Sequence, residues 1–547
     1  MRHQQTIALQ VLQSLHGERV KKHSDQETRA ELTRKNANVQ KHRHSRLMNS
    51  QARNTRNPLR LALRLTRWLA LPVAIPLLLG ACSLSRPPAA VDPRAPAEWN
   101  VPMASTSALS VWWRSFDDPA LSTLVDAAQA ASPNVASAAA RIAEARAAGT
   151  QAGAALLPTL DGTLSAQRSN SPFSGGASAG GGGGGDSLPG VTTLQAGLQS
   201  SWEIDVFGGR SAARDAAVTR LRGTDARWHD ARVSVAAETA NLYVGEWACR
   251  RQLDVAVSDA RSRGETARLT DLSAKAGFTA PASAALARAS AADASARVNQ
   301  QRAQCAVLRR GLVALTAIDG RALDALLDQA PVERDLLSTR TLPAIDSVPA
   351  RLLAQRPDVY AAETAVAAAS ADVGAAEADR YPRLTLQGSV AALQLRSGGL
   401  QQSLQTWTIG PVALSLPIFD GGVRAANVET AKARYDEAVS LYRSGARQAV
   451  REVEVALLNL NSADAREGDA ITAVDNYQAS LDATQARYRA GLGTLFELED
   501  ARRTLFIAQT SRVALQRERA EARIALYRAT GGGWARPESA ETSLSKQ

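Results

Sequence analysis

The chain is poor in the residues that usually carry chemistry. Of its six histidines, five (His3, His16, His23, His42 and His44) precede residue 81, and only His229 lies beyond it. Cysteine occurs three times, as Cys82, Cys249 and Cys305, and no Cys-His pair stands at a plausible catalytic spacing. Metal and imidazole chemistry are therefore poor expectations, and no cofactor is expected. Aromatics make up 4% of the residues. After residue 82 no segment is apolar for 18 residues, which excludes a transmembrane helix there. Positive charge is missing too, once it is located. Residues 1–81 hold fifteen Lys/Arg and four Asp/Glu, which accounts for the whole net charge of +11. The remainder is neutral, with Lys275, Lys432 and Lys546 as its only lysines. A phosphate-binding surface needs net positive charge, so nucleic acid is excluded as a partner.

What is present begins with an address. Arg53, Arg56, Arg60, Arg64 and Arg67 precede an apolar run from Trp68 to Leu79. That run is shorter than the roughly 20 residues that span a bilayer and reads as a secretory signal core. It ends Leu79-Gly80-Ala81-Cys82, which resembles a bacterial lipobox and marks Cys82 for lipidation. The plainer alternative is an ordinary signal peptide with an incidental cysteine. Ser83, rather than Asp, follows the Cys and favours export to the outer membrane. The division expected is an upstream extension over 1–47, disordered or mis-assigned, and a lipoprotein signal peptide over 48–81.

Alanine is the commonest residue beyond this point. High Ala with scattered Arg and Glu suggests long helices packed through small side chains. Helical stretches are read at 120–155, 210–275, 282–317, 354–380, 424–488 and 495–530. Between them lie four segments of period two, apolar on one face and polar on the other. They begin around Leu160, Leu194 and Leu384, and the fourth runs from about Thr406 to Ile418. The period suits transmembrane β-strands and equally the strands of a soluble sandwich. A flexible glycine tract, Ser174 to Asp186, separates the first two.

The strongest organising signal is an internal repeat. Ser132-Pro133 matches Arg356-Pro357 and Leu157-Pro158 matches Tyr381-Pro382, both at an offset of 224. Gly208 set against Gly421 gives 213, whereas Ala276-Gly277 with Ala490-Gly491 gives 214. Each unit reads as helix, β-hairpin, long helix, turn and returning helix. Four strands cannot close a membrane barrel, for which about eight is the minimum, so strands in lipid would require oligomerisation.

Trp112-Trp113-Arg114-Ser115-Phe116-Asp117-Asp118-Pro119, Leu416-Pro417-Ile418-Phe419-Asp420-Gly421-Gly422, Tyr488-Arg489-Ala490-Gly491 and Gly531-Gly532-Gly533-Trp534 together resemble the TolC-like outer membrane factor family. The likeness is to its OprM/NodT-type branch of efflux lipoproteins. The resemblance implies a mainly α fold with membrane β. Each chain would hold four β-strands and long antiparallel coiled-coil helices in a duplicated unit. A trimer would form a 12-stranded outer-membrane barrel and a 12-helix periplasmic tunnel. It implies a first repeat over 82–318 (strands 157–168 and 192–206, helices 209–275 and 282–317). A second repeat follows over 319–534 (strands 383–395 and 406–418, helices 422–489 and 495–530), with a flexible tail over 535–547. The partners implied are two further copies, a periplasmic membrane fusion adaptor, an RND-type inner-membrane pump and outer membrane lipids. The function implied is passive conduction of drugs or other small molecules, with no enzyme activity. A type I secretion conduit for proteins is the alternative. A surface lipoprotein enzyme and a structural rod are rivals from other classes; the first lacks a catalytic constellation and the second would lack duplicated hairpins.

The family's constriction maps onto Phe496, Glu497 and Asp500, which would ring the pore in a trimer. Glu497 and Asp500 are equally explained as helix N-terminal acids favoured by the dipole. Arg487 and Tyr488 match residues that link the two turns in closed channels. The acid expected opposite them is replaced by Ser283, which leaves either fewer ion pairs or a different acid such as Asp271 to hold the closed state. Cys249 and Cys305 stand symmetrically about Gly277. An antiparallel pair turning there would bring them level, so a disulfide is expected, two unpaired thiols being the alternative.

Overall fold

The computed structural model describes residues 86–94, 113, 118–170, 190–329, 353, 355–397 and 399–537. The signal segment, the lipobox Cys82, the glycine tract, and Trp112 and residues 114–117 of the Trp112–Pro119 motif lie outside the described residues. The chain divides into Met1–Ala81 and Cys82–Gln547, and everything described belongs to the second unit.

Two short helices open it, α1 (Pro119–Ala131) and α2 (Pro133–Ala154). The expected single stretch is split by Ser132-Pro133. The Ser132 hydroxyl accepts from the Val135 N–H, and proline occupies the first helical position, so a new helix starts there. Strands β1 (Thr159–Ser169) and β2 (Val191–Ile204) follow. Then come α3 (Gly209–Lys275), α4 (Pro281–Thr316) and the short α5 (Gly320–Gln329). The second unit runs α6 (Pro357–Ala378), β3 (Arg383–Ser397), β4 (Leu400–Ser415), α7 (Val423–Arg489) and α8 (Leu495–Ala529). Helices α3 and α7 have 67 residues each, about 100 Å at 1.5 Å per residue. Both start after a glycine in the left-handed region, Gly208 (φ 75°) and Gly422 (φ 93°). No helix among the described residues is long and apolar enough to cross a membrane.

The strands form one antiparallel sheet in the order β1-β2-β3-β4. Directly paired residues share a face. Leu160, Leu164, Leu198, Val390, Trp407, Ile409, Val412 and Leu414 therefore lie on one apolar surface. All eight are exposed, Leu164 at 86% and Ile409 at 85%. β4 starts six residues earlier than its apolar alternation. Gln401, Gln402 and Ser403 break the apolar pattern, yet their backbones pair with Arg396, Leu395 and Gln394. Hydrogen bonding extends the strand beyond the apolar band.

A register shift between Leu386 and Gly388 places one extra residue in β4. It resolves the step between offsets 213 and 214. On the far side Ala166 faces Leu194 as Val390 faces Trp407; on the near side Leu160 faces Ser200 as Leu384 faces Leu414. The structural equivalent of Gly208 is thus Gly422 rather than Gly421.

The largest core cluster lies where α1, α5 and α8 meet the middle of α3. Tyr243 and Trp247 pack there with Leu124, Leu312, Leu323, Leu327 and Ile524. The Tyr243 hydroxyl donates to Asp118, which also caps α1. Burial and that hydrogen bond push the Tyr243 hydroxyl far above its usual range. Residues 461–475 lie inside uninterrupted α7.

Candidate functional site

The end of the helices away from the sheet is built from two reversals. At the first, the Phe278 N–H donates to Ser273 O (2.9 Å) around Gly277 (φ 81°). At the second, the Leu492 N–H donates to Arg487 O (2.9 Å) around Gly491 (φ 75°). Both are six-to-one helix ends that need a left-handed residue, which glycine adopts without penalty. The returning helices start differently. α4 has Pro281 at its first position and no side-chain cap. α8 has a capping box: the Glu497 N–H donates to the Thr494 hydroxyl and the Thr494 N–H to the Glu497 carboxylate, both 3.2 Å.

This geometry separates the expected aperture residues. Phe496 is 72% exposed. Asp500, Arg503 and Ile507 follow it on the same helical face, and Asp500 pairs with Arg503. Glu497 is turned toward its own helix start. Arg487 donates to Leu492 O (3.4 Å) within its own turn, and among the described residues no hydrogen bond or ion pair joins it to the first turn. Tyr488 does reach the first hairpin, its hydroxyl 3.4 Å from that of Thr270. Asp271 is held by Lys275 (2.7 Å) and Arg288 (2.9 Å) of its own hairpin. Those cations keep its carboxyl below the usual range, the Lys275 hydrogen bond contributing most. The Ser283 N–H bonds Ala280 O. Higher up, Cys249 and Cys305 form a disulfide, with S–S 2.08 Å and Cα atoms 5.5 Å apart.

Sequence reasoning missed the contact that joins the hairpins. Ala267 and Ala287 pack on Leu495 and Leu498. Beside them Arg263 bonds Asp259 (2.8 Å), Ser290 (2.7 Å) and Glu499. Glu499 also accepts from Arg502 (2.9 Å), and Asp259 from Arg297 (3.1 Å). Arg263, Asp259, Glu499 and Arg502 are nearly buried. The local halves, Asp259/Arg263 and Glu499/Arg502, were visible as helix-spaced pairs. Their meeting joins residues 236 apart, for which the sequence offers no periodic signal. A cavity of about 460 Å³ opens beside this cluster, lined by Arg297, Phe496, Asp500 and Phe506.

At the sheet end, the Trp202 indole donates to Leu156 O (2.9 Å), and Phe207 stacks on Tyr381 at 5.0 Å. These two aromatics pack the sheet–helix junction, whereas Trp407 (73%) and Phe419 (92%) are exposed. No cluster of His, Cys, Asp and Glu able to hold a metal occurs among the described residues.

A family model described as "Outer membrane efflux protein" matches residues 124–320 and 348–532. The chain is 31% identical to the pyoverdine export outer membrane protein OpmQ of Pseudomonas aeruginosa, over 84% of this chain and 95% of that protein. It is 30% identical to the solvent efflux pump outer membrane protein SrpC of Pseudomonas putida, covering 86% of this chain and 99% of that one. Among solved structures, the outer-membrane channel OprN superposes with a TM-score of 0.69 at 27% identity, over 83% of this chain and 97% of OprN.

Proposed function

The chain belongs to the outer membrane efflux protein family, and on that premise we propose that three copies assemble into the outer-membrane conduit of a tripartite efflux system. It is an outer-membrane channel component, as its relatives are. The sheet carries the assembly reading. One continuous apolar face is exposed, and β1 and β4 are open edges. Open edges in lipid leave backbone groups unpaired, which a closed barrel avoids. Three copies supply twelve strands, above the minimum for closure of about eight.

The helices α3, α4, α7 and α8 of each copy form the periplasmic tunnel. A membrane fusion adaptor and an RND-type pump deliver the substrate, a drug or another small molecule, and conduction is passive. Lipidated Cys82 anchors the chain in the outer membrane. Phe496 and Asp500, sharing an exposed face, constrict the entrance, with Glu497 beside them. The Tyr488–Thr270 contact, with Arg487 beside it at the second turn, holds it closed. Export and efflux in the names of the relatives favour small molecules over secreted proteins.

Deletion of the gene is expected to raise susceptibility to several small toxic compounds, with restoration by the intact gene. The native protein should co-purify with an adaptor and an inner-membrane pump. Unchanged susceptibility together with loss of a secreted protein would instead establish the type I conduit.

A further inference from the structure

The duplication lets each fastening of one hairpin be set against its counterpart in the other. At the offset of 214, Cys249 and Cys305 correspond to Ala463 and Arg519. The second hairpin closes at that level by charge. Arg519 pairs with Asp464 and, at 2.7 Å, with Glu467 on the facing helix. Such a link forms as soon as the helices meet. The first hairpin closes at the same level by a covalent bond, and a covalent bond needs a chemical partner to make it. One turn away the contrast recurs. Glu246 is fully buried and is held by Arg250 (2.9 Å) and by Arg309 of α4 (3.0 Å). The second hairpin has the buried Leu460 in that place. A leucine still packs when its partner helix slips, whereas a buried carboxylate that loses its cation is strongly destabilising. Cys305, one turn before Arg309, fixes the height of α4 that this ion pair requires.

Access to the two sulfurs sets when the bond can form. Cys249 and Cys305 are both buried. The Gln301 amide lies over Cys249, donating to its carbonyl (3.4 Å) and to Gln252 Oε1 (3.1 Å). Thiol–disulfide exchange depends on one sulfur reaching another, and the closed hairpin covers both. Each cysteine also stands 28 residues from Gly277. That is about 42 Å along a helix, so formation of the turn alone does not bring the two thiols together.

We infer that Cys249 and Cys305 are the substrate site of a thiol–disulfide oxidoreductase, which acts on the exported chain before the first hairpin closes. The inference rests on the outer-membrane location given above and not on the number of copies. The thiolate of one cysteine attacks the disulfide of the oxidised partner. A mixed disulfide forms and one partner thiolate leaves. The thiolate of the other cysteine attacks the sulfur of the first, which closes Cys249–Cys305 and releases the partner as a dithiol. The chain loses two electrons and two protons, and the partner's disulfide takes up both. The supply of finished channel therefore follows the oxidising capacity of the compartment that the chain crosses. The α7–α8 hairpin, which has no cysteine, is indifferent to it.

The test expresses the full chain in a host whose periplasmic thiol–disulfide oxidase is deleted, and in its parent. Newly made chain is quenched in acid and its free thiols are tagged with a maleimide polymer. Oxidation at Cys249 and Cys305 should slow about tenfold in the deleted host, and the channel recovered from outer membranes should fall with it. Cystine in the medium, a small-molecule disulfide, should restore both. Cys249→Ala with Cys305→Ala should be recovered equally from the two hosts. Equal oxidation in the two hosts without cystine overturns the inference, and so does a double variant that still depends on the oxidase. Timing is tested on the purified oxidised protein with dithiothreitol. Reduction should be about tenfold slower without urea than with it, because only the open chain exposes the sulfurs. Equal rates would overturn the order of events. A chain that oxidises as described yet stays monomeric by native mass supports the exchange and counts against the assembly proposed above.

Discussion

The two helical hairpins have the same length and the same turn, yet different chemistry fastens them. The first, α3 with α4, is stapled by Cys249–Cys305 and braced by Asp271 between Lys275 and Arg288. Its returning helix starts without a side-chain cap. The second, α7 with α8, has no cysteine. It has the Thr494/Glu497 capping box and cross-links such as Arg519–Glu467 at 2.7 Å. A duplicated backbone has kept its geometry while its stabilising contacts diverged. Buried alanines line all four helices, whichever contact fastens the hairpin.

The largest effect is expected where the hairpins meet. Glu499→Ala leaves the buried Arg502 without its carboxylate and Arg263 with Asp259 alone, and breaking a buried ion pair typically costs about 3–5 kcal/mol. Thermal melting of the assembled protein should drop accordingly, and an unchanged midpoint would detach the cluster from stability. Cys249→Ser with Cys305→Ser should cost about 2–4 kcal/mol, because the bond closes a long loop. Reductant should lower the wild-type midpoint and leave the double variant unmoved. Thr494→Ala should cost about 1 kcal/mol. Hydrogen exchange should speed up in the first turn of α8 and stay unchanged at the start of α4.

A pH experiment contrasts Asp230 of α3 with its equivalent Ser444 in α7. Burial, and then Asp358, raises the Asp230 carboxyl above its usual range. The folded protein then binds that proton more readily than the unfolded chain. This contribution favours folding at low pH and is lost as pH rises through the raised value. Asp230→Asn should flatten that part of the stability–pH profile, and an unaltered profile would contradict it. The smallest expected effect is on selectivity. Glu497→Ala with Asp500→Ala should weaken cation preference in planar bilayers, seen as a shifted reversal potential. Asp500→Ala alone should account for most of the shift, because Glu497 is engaged in its cap.

Much of the fold was legible because it is written in periods. Alternation located the four strands, alanine-rich helical stretches located the rods, and the repeat gave their order. The proline after Ser132 split one expected helix, since a cap and a fixed φ outweigh continuous helix propensity. The extra residue in β4 showed itself only as a change of offset, and its place needed the hydrogen-bond register. At the tip, family likeness pointed to Phe496, Glu497 and Asp500 as aperture residues. That Glu497 turns to its own helix start while Asp500 pairs with Arg503 depends on side-chain direction, which no sequence period records. Arg263 and Glu499 were beyond reach, because an ion pair between distant segments leaves no local pattern.

From Gly208 and Gly422 to Thr316 and Thr530 the two units keep a constant offset of 214. One inserted residue would turn everything beyond it by about 100° around a helix axis. It would carry the buried stripe out to solvent on every later turn. Side chains in this stretch are free to drift, but its length is not. Length changes between the copies fall in the first β-hairpin and at the β4 bulge, where a strand or loop absorbs them locally. For the descendants of such a duplication, the count of residues is the inherited trait, and its spelling is negotiable.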